Sequence, residues 1–206
     1  MNKRISKLVV SAGATALLAA CGGGGSGSGP DVPPPTPAPD LPPPSFVELE
    51  DQTLAMAAIY DLQSINDPLT LPVSGSTVYA GGMHLQTQND SFSIAGQMQL
   101  NVDFSTDSLS GNVRNLVDSQ ETRYQGILTI GAGQIDRTTI PANNEPTFSA
   151  PLTGDVSSDV VAINVDGTMQ GYFMGPDHEA AYGFVTGTIS APNDTAPLVG
   201  GFIGTR

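Results

Sequence analysis

The sequence predicts an all-β fold: an eight-stranded antiparallel up-and-down barrel, preceded by a signal peptide and a disordered Gly/Pro-rich tether. Three observations carry that expectation. Beyond Thr77 apolar and polar residues alternate with a period of two, the pattern of strands with one dry and one wet face. The dry rows number eight, and eight strands make the smallest common barrel whose interior side chains can fill. Every dry row also contains glycine. Glycine weakens a strand, so its repeated use needs a reason, and relief of crowding where a sheet bends and closes is one.

The rows run in order along the chain. The first is Tyr79, Gly81, Met83 and Leu85. The clearest is Phe92, Ile94, Gly96, Met98, Leu100, Val102 and Phe104, with Ser93, Ala95, Gln97, Gln99, Asn101 and Asp103 on the wet side. Leu109–Val113, Tyr124–Ile130 and Phe148–Gly154 follow, then the long row Val161–Phe173, then Gly183–Ile189 and Leu198–Gly204. Gly81, Gly96, Gly111 and Gly126 recur every 15 residues and are expected to mark curvature. A barrel embedded in lipid would show an unbroken apolar band with aromatic girdles. Here glycine interrupts the band, there is no Trp, and Phe and Tyr together number 12.

The N-terminal organisation differs in kind. Lys3, Arg4 and Lys7 precede an apolar run from Leu8 to Ala20, which reads as a secretory signal peptide over residues 1–20. Leu17-Leu18-Ala19-Ala20-Cys21 resembles a bacterial lipobox, and this implies that the Cys21 thiol carries the lipid. Residues 21–45 are the expected tether: a Gly/Ser run to Gly29, then nine prolines between Pro30 and Pro44. Such a segment lacks the apolar side chains to offset ordering entropy and can reach about 70 Å when extended. Residues 46–74 are expected to lead into the barrel, with a short helix or an extended strand around Glu50–Ile59. Residues 75–206 are the expected barrel domain.

Charge narrows the partners. After residue 20 the basic residues are Arg114, Arg123, Arg137 and Arg206, against 20 Asp and Glu, a net charge of −16. Phosphate backbones need clustered Lys and Arg, so nucleic acid is not expected as a partner. Anionic membrane surfaces repel such a chain, so the expected membrane contact is the covalent lipid at Cys21.

The C-terminal rows add a resemblance. Gly167-Thr-Met-Gln-Gly171-Tyr-Phe-Met-Gly175-Pro-Asp-His-Glu179-Ala-Ala-Tyr-Gly183, followed by Gly200-Gly-Phe-Ile-Gly204, resembles the barrels of transferrin-binding protein B and related surface lipoproteins. Gly75–Gly81 and Leu100–Gly111 resemble the early strands of that family. The resemblance implies a barrel lipoprotein exposed on the outer membrane. His178 stands where the family usually has Ala, and no match to its transferrin-contacting loops is present, so transferrin itself is not implied.

No catalytic constellation, cofactor motif or metal-ligand spacing is expected. His84 and His178 are the only histidines, and His84 falls on the wet row. The expected contact residues are Tyr172, on the wet row, with His178 and Glu179 in the Gly175–Glu179 turn. The Arg137–Glu145 and Pro192–Pro197 segments are the other expected recognition loops. The expected function is non-catalytic capture of a host protein or a small solute such as an iron source. A structural or immune-masking envelope lipoprotein and a lipocalin-like carrier are the alternatives.

Overall fold

The structure, a computed structural model, describes residues 43–60, 63–138, 145–192 and 194–206. Cys21 and residues 22–42 of the expected tether lie outside the described residues.

Helix α1 spans Phe46–Tyr60. It begins four residues before the Glu50 start expected from the sequence, because Ser45 and Glu48 cap each other. The Glu48 amide donates to Ser45 Oγ at 3.2 Å, and the Ser45 amide donates to Glu48 Oε2 at 2.8 Å. That reciprocal pair satisfies two donors that a helix start otherwise leaves open. The backbone hydrogen bond from Ser45 is the main cause that holds the Glu48 carboxyl below its ordinary value. A short 3-10 turn at Pro68–Thr70 follows, capped by the Asp67 carboxylate.

The strands are β1 (Ser76–Thr87), β2 (Ser93–Asp103), β3 (Ser108–Asp118), β4 (Gln125–Gly126), β5 (Leu128–Ile135), β6 (Phe148–Ser157), β7 (Ala162–Met174), β8 (Ala180–Ala191) and β9 (Asp194–Thr205). β4 and β5 are two pieces of one stave, and both pair with β6. Each stave runs antiparallel to its chain neighbour, and β9 returns to pair with β1 from Ala80↔Thr205 to Thr87↔Leu198. The result is a closed eight-stranded barrel, as the eight rows predict.

The dry rows face inward. Tyr79, Phe148, Phe173 and Phe202 are among the largest fully buried side chains. Phe173 lies at the centre of an aromatic cluster, its ring 5.0 Å from that of Phe148, 5.6 Å from Phe104 and 5.7 Å from Tyr79. These rings fit because glycine stands opposite them: a Cβ on Gly171 would lie 2.6 Å from Phe148 Cζ, and one on Gly183 would lie 2.6 Å from Phe202 Cζ. Burial pushes the Tyr79 phenol up to about 12, and its hydroxyl donates to the His178 carbonyl at 2.8 Å.

Gly126 departs from the expected pattern. It is exposed with φ +103 and ends β4, with one residue between it and the start of β5 at Leu128. Its role is a backbone turn that L side chains rarely adopt, not room on the dry face.

One barrel end is plugged. Residues 63–74 run across it, with an Ile65↔Met174 bridge and the Asn66 amide donating to the Phe173 carbonyl at 2.9 Å. Leu71 drops into the core. Arg137 locks the plug: its guanidinium pairs with Asp107 at 2.6 Å and donates to the carbonyls of Leu71, Pro72 and Phe104. At the other end Phe92, Val161, Ile163, Ile189 and Ala196 line an apolar mouth of about 170 Å³. The chain before α1 is held at this end, where Arg123 donates to the carbonyls of Pro43 and Pro44.

Candidate functional site

Helix α1 lies against the outer wall of β1, β2 and β9. Phe46 and Leu49 pack on Ala95 and Val117, and the Phe46 ring meets His84 edge-on at 5.7 Å. Gly82 lets the helix approach β1 closely, since a Cβ there would collide with Thr53 Oγ1. His84, expected to be exposed, is therefore half-buried, and it hydrogen-bonds Ser93 Oγ at 2.6 Å. Burial lowers its pKa from the ordinary value, while Glu50 opposes that shift.

Beside the helix lies a groove of about 710 Å³ on the outer face of β1, β2 and β3. Ala55, Met56 and Ala80 give it an apolar side. Gln52, Gln97, Gln99, Asn112, Arg114 and Asn115 supply its polar groups. Gln97 and Gln99 arise from the period-two wet row of β2. Arg114 and Asn115 are neighbours in sequence, and a regular strand would send them to opposite faces. A β-bulge changes this. Gln97 pairs with Arg114 and Ala95 with Val117, so two residues of β3 stand opposite Gly96 alone. Asn115 takes φ 52 at this point. Arg114 and Asn115 are then both exposed, while Leu116 returns to the core. Gly96 is required here, since a Cβ would lie 2.7 Å from Val113 Cγ1 and 2.8 Å from Leu116 Cδ2. Bulges of this kind re-aim side chains.

The groove is also set apart by charge. No Asp or Glu lines it, although the chain carries 20. Arg123 and Arg137 are committed to carbonyls and Asp107. Among the described residues no hydrogen bond or ion pair engages the Arg114 side chain. Asn115 Nδ2 donates to Gln97 Oε1 at 2.6 Å.

The expected contact residues lie elsewhere. Cys21 falls outside the described residues. Tyr172 does sit on the outer row, but it is only 8% exposed and packs with Met174, Ala180, Tyr60 and Ile65. Residues of the lead-in segment cover the face that alternation alone assigns to solvent, and burial raises the phenol's pKa. Tyr172 is therefore packing, not an exposed contact. His178 and Glu179 are half-buried in the β7–β8 turn. His178 takes φ 59, and its Nε2 is buried with no hydrogen-bond partner. Burial is the first cause that lowers its pKa.

Of the expected Arg137–Glu145 loop, residues 139–144 lie outside the described residues, and Arg137 is part of the plug. The Pro192–Pro197 segment is not a loop over its length, because β9 starts at Asp194. Pro197 is tolerated because it lies beyond the last β1–β9 register pair, Thr87↔Leu198, where only its carbonyl is used, accepting from the Gln88 amide at 3.1 Å.

The groove residues were legible in part. Gln97, Gln99 and Asn101 spell an amide row at period two. Arg114-Asn115 between Val113 and Leu116 breaks the alternation, which is the sequence signal of a bulge. No protein-family model matches the chain, and no curated protein matches it.

Proposed function

We propose that the chain is a lipid-anchored surface binding module that captures its ligand without catalysis, on the outside of the barrel wall. The observation that carries this reading is the groove beside α1, free of carboxylates and holding an Arg114 side chain with no partner among the described residues, in a chain of high negative charge. The interior is occupied by Tyr79, Phe148, Phe173 and Phe202, so a lipocalin-like internal cargo has little support. Anchoring at Cys21, display on the outer membrane and kinship with transferrin-binding protein B-like barrels belong to the same proposal. They rest on the lipobox-like Leu17–Cys21 and on the Gly-rich C-terminal strands.

Metabolic labelling with a palmitate analogue, combined with protease shaving of intact cells, tests the reading. The wild type is expected to be labelled and shaved, and Cys21→Ser to remain an unlabelled precursor. A fully labelled Cys21→Ser variant, or a protein that survives on shaved cells, contradicts it.

A further inference from the structure

We infer that the groove beside α1 takes a short saccharide carrying one carboxylate, an inference that rests on the surface-binding reading and names its ligand class. Arg114 is the cation that would pair with the carboxylate. Its guanidinium is exposed, has no partner among the described residues, and faces a lining with no carboxylate to compete for it. A guanidinium presents a planar fork that matches a carboxylate. The net charge of −16 carried after residue 20 repels polyanions, so a ligand with a single negative charge suits a single arginine.

The amides argue for hydroxyl-rich chemistry. Each primary amide both donates and accepts, as a hydroxyl does. The Asn115–Gln97 hydrogen bond of 2.6 Å fixes one donor and one acceptor between those two side chains. Both N–H donors on Gln97 Nε2 and the Asn115 Oδ1 acceptor remain to meet a ligand. Asn112 on β3 and Gln99 on β2 extend the polar wall, and Met56 and Ala80 supply an apolar surface for the C–H face of a sugar ring. The volume of about 710 Å³ falls in the range of roughly 300–1,000 Å³ common to small-ligand sites.

A peptide fits less well. Peptides often bind by adding a strand to a sheet edge, and this barrel is closed between β1 and β9. The groove also lacks the aromatic-lined pocket that anchors a peptide side chain.

Calorimetric titration of the mature chain from residue 21 tests the inference. The probes are a glucuronate-containing disaccharide, sialyllactose, the methyl ester of each, and a glutamate-containing tripeptide. At least one acidic saccharide is expected to bind saturably, with its ester at least about tenfold weaker and the tripeptide weaker still. Arg114→Gln is expected to bring the acid down to the level of the ester with no change in melting temperature. Equal binding of acid and ester, binding indifferent to Arg114→Gln, tighter binding of the tripeptide, or no saturable binding by either acid overturns it. If that happens while protease shaving still removes the protein from cells, the saccharide assignment fails alone. If shaving leaves the protein in place, the surface-binding reading fails instead.

Discussion

The two faces of one barrel wall differ in chemistry. The inner face is filled by apolar side chains, with Gly171 and Gly183 set opposite phenylalanine rings. The outer face beside α1 is amide-rich, holds an arginine with no side-chain partner among the described residues and is bent by a bulge. The same strands supply both, since β2 sends Met98 and Leu100 inward and Gln97 and Gln99 outward. Stability should therefore respond to changes on the inner face and binding to changes on the outer one.

The sharpest way to break this division is to crowd the inside. A Cβ on Gly183 would collide with the Gln170 carbonyl oxygen and come within 2.6 Å of Gly171 Cα. Backbone cannot move aside as a side chain can, so Gly183→Val should exceed the ~1–3 kcal/mol of ordinary overpacking. Chemical denaturation reads the loss, and wild-type stability would refute the packing argument.

Next in size is the plug. Arg137→Ala removes the Asp107 pair and three carbonyl contacts, and is expected to cost ~2–3 kcal/mol. Hydrogen exchange should rise first around Leu71 if the clamp acts locally. Ser45→Ala, which breaks the capping box, should cost ~1 kcal/mol, with α1 amides losing protection before those of β7.

A smaller effect follows pH. Burial lowers the pKa of His84 and of His178 from the ordinary value of 6.5. Below about that value the unfolded chain binds protons that the folded chain does not. Stability should therefore fall as pH drops from 6.5 through the folded values. His84→Gln should flatten that slope in melting curves collected between neutral and mildly acidic pH. An unchanged slope would show that neither the Phe46 contact nor burial perturbs His84.

The inner face was the legible one. Its period-two rows depend on local alternation, which sequence displays directly, and all eight became staves. The outer face depends on what covers it. Alternation placed Tyr172 outside correctly, but it carries no information that Tyr60 and Ile65 from another segment pack over it. The start of α1 was readable in Ser45-Phe-Val-Glu48, although its apolar face is weak, with Leu54 and Ile59 exposed. Gly126 fell in a dry row by count, yet its positive φ takes it out of that row. The Arg114–Asn115 doublet reads as an interruption of β3 until pairing with β2 shows that both side chains face one groove.

The smallest stability effect belongs to the most consequential residue. Arg114 is exposed, so Arg114→Gln should change stability by no more than ~0.5 kcal/mol. The most direct test of the division is therefore an NMR titration of residues 21–206 with the glucuronate-containing disaccharide. Shifts are expected at Met56, Gln97, Asn112 and Asn115, with none at Phe148, Phe173 or Phe202, and Arg114→Gln should raise the ligand concentration needed to produce them at least about tenfold. Shifts centred on the buried phenylalanines and unaffected by Arg114→Gln would place recognition inside the barrel and contradict the account.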